Sequence, residues 1–115
     1  MNIDERAVQG VTILHLAGTL ALGSGAGVLR DKMRALVREG RRDFLLDLSQ
    51  VGSIDSTGIS EIIGAYTTAK KAGGSVKFLN VTKFVHDLFA ITKLLLVFEL
   101  FSNETEALAS FSPQK

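Results

Sequence analysis

Cysteine is absent from the 115 residues, and proline occurs once, at Pro113, almost at the end. Without cysteine there is no disulfide framework, no thiolate metal site and no thiol nucleophile. Neither charge sign dominates, because 13 Lys plus Arg face 12 Asp plus Glu, for a formal net charge of +1. No strong overall field therefore draws the chain to nucleic acid or to an anionic membrane. The most apolar stretch, Leu94 to Leu100, lies in a segment broken by Lys93 and Glu99. It is far short of the roughly 20 residues that span a bilayer. Met1 to Gly10 carries Asp4, Glu5 and Arg6 and lacks the basic start and apolar run of a signal peptide. What is present, 46% hydrophobic and 22% charged residues, suits one globular domain with a real core. The expectation is a soluble, cytoplasmic single domain over residues 1–112, with a frayed 113–115, no direct nucleic-acid partner and no membrane insertion.

Hydrophobic patterning orders the elements. Ile3 to Val8 and Val11 to Ala17 read as strands, and Gln9-Gly10 between them predicts an antiparallel hairpin. Gly18 ends the second strand, and Gly23, Ser24, Gly25 and Gly27 make a loop. Leu29, Met33, Leu36 and Val37 recur at helical spacing within Ala26 to Arg38, with Gly40 as the stop. Phe44 to Leu48 reads as a central strand and Ser49 to Asp55 as a polar loop. A second helix starts near Ser56 or Thr57, buries Ile59, Ile62, Ile63 and Tyr66, and ends at Gly73-Gly74. Ser75 to Asn80 is a strand, and Thr82 to Ile91 a helix with Thr82 as N-cap. Val97 to Phe101 adds a short strand, and Asn103 or Ser102 caps a last helix through Phe111. Strands alternating with helices imply parallel pairing by right-handed crossovers. The fold class is α/β, a mixed sheet with an antiparallel N-terminal hairpin and about four helices.

In open α/β sheets, sites form beyond the carboxyl ends of the parallel strands. Gly18 to Gly25, Ser49 to Thr57 and Asn80 to Lys83 are expected to meet there. Gly18 and Gly23 have P-loop spacing, but Ser24-Gly25 follows where Lys-Ser/Thr is required. Gly23 and Gly25 match two glycines of a dinucleotide fingerprint, but Val28 stands at the third. A turn with close backbone packing explains this loop better than a phosphate cradle. His15 reads as a satisfied or edge histidine and His86 as a surface one; no metal-ligand spacing joins them. A Ser56, His86, Asp55 triad lacks the G-x-S-x-G elbow. The chain is read as a non-enzyme with no cofactor and no metal.

The most informative stretch is Val51-Gly52-Ser53-Ile54-Asp55-Ser56-Thr57-Gly58-Ile59. It places two hydroxyls where a helix begins, and helix N-termini accept negative charge. A phosphate on Ser56 would add about −1.5 to −2 charges at pH 7 and could switch a partner surface from binding to release. The same residue types also serve simply as N-caps.

Phe44-Leu45-Leu46-Asp47-Leu48, followed by a short loop and Asp55-Ser56-Thr57-Gly58-Ile59, resembles the STAS domains of bacterial anti-sigma factor antagonists. Gly18, Gly73-Gly74, Leu88-Phe89, Thr92-Lys93-Leu94 and Ala107-Leu108 extend the resemblance over nearly the whole chain. The resemblance implies an unphosphorylated form that binds an anti-sigma factor, itself a serine kinase, and so frees a sigma factor. Phosphorylation by that kinase, with Ser56 as acceptor and Thr57 as second choice, would switch binding off, and a serine phosphatase would reset it. Asp55 would cap the helix and orient the loop, and Gly58 would keep the approach to the hydroxyl open. Asp55, Thr57, Gly58, Ser24 and Lys83 are the expected partner contacts. Two departures stand out. Thr19, Leu20 and Ala21 follow Gly18 where the family often has an acidic residue, and Lys93 replaces a usual glycine, which suggests a different local geometry. The alternatives are a STAS interaction subunit of a transporter or stress-signalling complex, and a nucleotide-binding STAS domain using the Gly18 to Gly25 loop.

Overall fold

The computed structural model describes residues 1–22 and 27–111. Among these residues, five strands form one sheet in the order β1-β2-β3-β4-β5. Strand β1 (Asn2–Val8) pairs antiparallel with β2 (Val11–Leu20). Gln9 and Gly10 both take positive φ, 55° and 81°, the pair of left-handed residues that a two-residue turn matched to strand twist requires. Strands β3 (Asp43–Ile54), β4 (Ser75–Leu79) and β5 (Leu100–Phe101) then join in parallel.

Alternation along the strands divides the core. Leu14, Leu16, Phe44, Leu46 and Phe78 face Leu29, Met33 and Leu36 of α1 (Val28–Arg38), Ile62, Ala65 and Ala69 of α2 (Ser56–Lys71), and Val85 and Phe89 of α3 (Lys83–Ile91). Val11, Ile13, Leu45 and Leu79 point to the other face, where Ala107 and Leu108 of α4 (Glu104–Phe111) cover them. The mixed α/β sheet with four helices is thus as expected. The caps are too: Thr82 Oγ1 accepts from Val85 N at 3.2 Å, and Asn103 Oδ1 from Glu106 N at 2.9 Å.

Several boundaries differ. Ser49 to Ile54 is strand and not loop, and β2 runs on past Gly18 to Leu20. Two register shifts between β2 and β3, at His15/Ala17 and at Gly18/Thr19, insert extra residues. The buried residues there, Val51 and Ile54, fall three apart, so the two-residue alternation that marks a strand is lost. At the other end, Val97 to Phe101 shrinks to Leu100–Phe101, because a 3-10 turn at Leu94–Leu96 leads Phe98 into the core. Helix α1 begins at Val28; the expected start at Ala26 lies outside the described residues, as does the frayed C-terminus.

Lys93 corrects the expectation of altered geometry. It takes φ 67° and ψ 12°, so a left-handed turn is formed here by a residue with a Cβ. That conformation costs about 1 kcal/mol or more for a non-glycine residue. After the larger unfolded-state entropy of glycine is subtracted, Lys93→Gly is expected to stabilise the domain by about 0.5 kcal/mol. Thermal melting checks this, and a lower melting temperature would show that the lysine side chain contributes packing that offsets the strain.

Candidate functional site

The long β2 and β3 carry the site beyond the rest of the sheet. Strand β4 ends at Leu79, level with Asp47, whereas β3 continues beside β2 to Ile54. Helix α2 then turns back along the sheet, and Asp55 occupies its N-cap with extended backbone. One carboxylate oxygen accepts from Gly58 N at 2.9 Å, and the other from Leu22 N at 3.1 Å. Its own N–H donates to Leu20 O at 3.3 Å. Asp55 therefore does two jobs: it satisfies an orphan donor of α2 and ties that helix end to the chain leaving β2.

These N–H donors also set its acidity. The hydrogen bond from Gly58, then that from Leu22, holds the carboxyl below its ordinary value of 3.8. The unfolded chain binds this proton more readily, so the contribution to stability is complete above pH 3.8 and is lost as pH falls through the lowered native value. Asp55→Asn is expected to lower the melting temperature at neutral pH and to flatten the acid limb of the stability curve. Acid unfolding of both chains checks this; an unchanged limb would remove Asp55 from the account.

Ser56 is the first helical residue and is exposed, and Thr57 behind it is half-buried. The helix is capped by Asp55, so Ser56 presents its side chain at a positive helix end without being the cap. Gly58 is buried, and a Cβ placed on it would lie 2.0 Å from Leu20 O and 2.7 Å from Ile54 Cγ2. Close packing of α2 on the end of β2 accounts for this glycine without invoking an open approach to the hydroxyl.

Two of the three expected loops meet here. Gly18 to Leu22 and Ser53 to Gly58 are joined through Asp55. The Asn80 to Lys83 turn follows a strand that ends level with Asp47, well short of Ile54. Lys83 is exposed and pairs with Asp87 at 2.8 Å, one turn on, which raises its pKa. Ser24 and the neighbouring Gly23 and Gly25 lie outside the described residues. The conceivable triad partners have other engagements: Asp55 accepts two backbone N–H groups, and His86 Nδ1 lies 3.5 Å from Asp87. His15 is satisfied between Asp47 at 2.8 Å and Arg6 at 3.2 Å. Among the described residues, no three His, Asp or Glu side chains converge as a metal site, and no helix is long and apolar enough to cross a membrane.

Two residues escaped sequence reasoning. Glu61 of α2 accepts from Gly27 N at 3.0 Å and Arg30 N at 3.3 Å. It caps α1, whose own N-cap is a glycine with no side chain to offer. The only sequence signal was that missing cap. Leu22 is 77% exposed beside the Asp55 clamp, an apolar group at the rim of the site that no pattern singled out.

Comparison with known proteins gives this geometry a context. The family model for the STAS domain matches residues 2–107. The anti-sigma-B factor antagonist of Bacillus subtilis (strain 168) is 34% identical over 94 residues, covering 82% of this chain and 84% of that protein. Among solved structures, an anti-sigma factor antagonist from Mycobacterium paratuberculosis superposes with a TM-score of 0.83 at 20% identity, covering 96% of this chain and 92% of that one. The phosphorylated form of the Bacillus cell fate determinant SpoIIAA gives a TM-score of 0.73 at 16% identity, with 96% and 100% covered. At such identities the structures establish a shared fold, and the sequence matches establish descent: the chain belongs to the STAS domain family.

Proposed function

We propose that this chain is an anti-sigma factor antagonist switched by phosphorylation of Ser56. In its unphosphorylated form it binds an anti-sigma factor that is also a serine kinase, and the sigma factor is freed. The kinase transfers the γ-phosphoryl group of ATP to the Ser56 oxygen, with ADP leaving and the hydroxyl proton lost. The modified chain then dissociates, and a serine phosphatase hydrolyses the ester to restore the binding form. The observation that carries this reading is the exposed Ser56 at the first helical position, beside a cap that Asp55 supplies. The hydroxyl is accessible and is not needed to begin the helix, and the dianion it would become lies at a helix end that favours negative charge. The relative from Bacillus subtilis, named an anti-sigma-B factor antagonist, and a fold neighbour solved in a phosphorylated form support the same reading.

Mass spectrometry of the chain isolated from its host, across growth and stress conditions, tests it. A single phosphate on the Ser56 peptide is the expected result. Phosphate on Thr57 would keep the mechanism and move the residue. No phosphate under any condition would leave a constitutive STAS interaction module.

A further inference from the structure

Three aliphatic side chains project from one corner of the domain, far from Ser56. Ile91 is 77% exposed, Leu96 84% and Val97 51%. Their placement is fixed by local bonding. Ile91 ends α3, and Thr92 Oγ1 donates back to Leu88 O at 2.8 Å. Lys93 turns the chain left-handed into the Leu94–Leu96 turn, and Phe98 N returns to Leu94 O at 2.8 Å. Leu94, Leu95 and Phe98 pack on the core, so of three consecutive leucines two anchor the turn and the third points outward.

Cations border this apolar tip. Phe98 packs on Tyr66 with tilted rings whose centroids are 5.3 Å apart, and Lys70 Nζ lies 5.8 Å from the same Tyr66 ring. Lys70, in the last turn of α2, is thereby placed beside Phe98, the chain neighbour of Val97; exposed Lys71 follows it in the same turn, and exposed Lys93 lies within the corner itself. Of the acids that adjoin this segment in the chain, Asp87, one turn before Ile91, pairs with Lys83 at 2.8 Å, and Glu99 with Lys77 at 3.0 Å. A net charge of +1 thus conceals a local excess of positive charge around exposed aliphatic groups.

We propose that this corner docks on an anionic lipid bilayer, with Ile91, Leu96 and Val97 entering the interface and Lys70, Lys71 and Lys93 facing the headgroups. Apolar side chains combined with a basic rim are the chemistry that such a surface recognises. The contact is adsorption to one leaflet and not a span. The corner lies at the C-terminal end of α2 and Ser56 at its N-terminal end, about 24 Å apart along the helix, so a docked domain would still present Ser56 to a soluble partner.

Flotation of the full chain with phosphatidylcholine vesicles, with and without phosphatidylglycerol, tests the proposal. Partition into the phosphatidylglycerol vesicles, weakened by added salt and small on phosphatidylcholine alone, is expected. Leu96→Glu is expected to lower it by about tenfold or more, through the loss of one inserted aliphatic side chain and the new negative charge against the headgroups. Lys70→Gln combined with Lys71→Gln should also lower it roughly tenfold. All these positions are exposed, so melting temperatures near that of the parent chain should confirm intact folding. Absence of partition at low salt would overturn the proposal, as would a Leu96→Glu chain that floats like the parent. Conversion of a dimer to a monomer by Leu96→Glu, without lipid binding by either, would assign the corner to contact between copies and also overturn it.

Discussion

Ser56→Ala is expected to fold like the parent chain, with stability changed by no more than about 0.5 kcal/mol, and to hold the anti-sigma partner in the presence of ATP. The first half follows from the capping geometry. Asp55 makes the bonds that start α2, and Ser56 only occupies the first helical position with its side chain exposed. The second half follows from the proposed switch, since a chain without the hydroxyl oxygen cannot receive the phosphoryl group.

Ser56→Asp separates electrostatics from folding. A carboxylate at this position meets the positive end of α2, which favours it, and Asp55 beside it, which does not. The two effects oppose, so the fold should tolerate the charge. A partner surface fitted to a neutral hydroxyl would not, and a buried unpaired charge there is expected to weaken binding by about tenfold or more. Phosphoserine, with about twice the charge and more bulk, should weaken it further. Titration calorimetry with the three forms decides the matter. Equal affinity of Ser56→Ala and Ser56→Asp would sink the charge switch even if Ser56 is phosphorylated. Unfolding of Ser56→Ala would show instead that the hydroxyl is structural.

The parts of this fold legible in the sequence are those whose causes are local. Gln9-Gly10 gave the hairpin because two consecutive left-handed residues leave a short-range mark, and Thr82 and Asn103 marked their helices because each cap bonds a donor three residues on. Features set by distant residues were hidden. The far half of β3 is held by bulged pairing to β2, so its burial period is three and it read as a loop. Glu61 caps a helix whose N-cap, Gly27, lies 34 residues earlier, beyond any local pattern. The position of Lys83 depended on where β4 stops relative to β3, a register that composition does not encode. At the site itself, Asp55 was legible as a cap through Gly58 but not as a tie to Leu22, because the second bond joins segments 33 residues apart that meet only beyond the ends of β2 and β3.

Gly58→Ala is expected to be the most damaging single-methyl change near the site, and Gly64→Ala on the same helix to be harmless or helpful. At Gly58 the added carbon would sit 2.0 Å from Leu20 O, and that oxygen belongs to backbone that also accepts from Asp55 N. It cannot move aside as a flexible side-chain end would, so α2 must lift from β2. Overpacking of this kind costs about 1–3 kcal/mol, only partly offset by the better helix propensity of alanine. For a domain of this size the loss should lower the melting temperature by roughly 4 °C per kcal/mol. Gly64 faces solvent with nothing within 4 Å of its added carbon, so there the propensity gain of about 0.5–1 kcal/mol should appear undiminished. The pair also bears on function. If Gly58 is held by packing, Gly58→Ala should weaken partner binding only as far as it tilts α2 and displaces Ser56, and a second substitution that restores stability should restore binding. Lost binding in a fully restabilised Gly58→Ala chain would instead place a partner directly against this glycine.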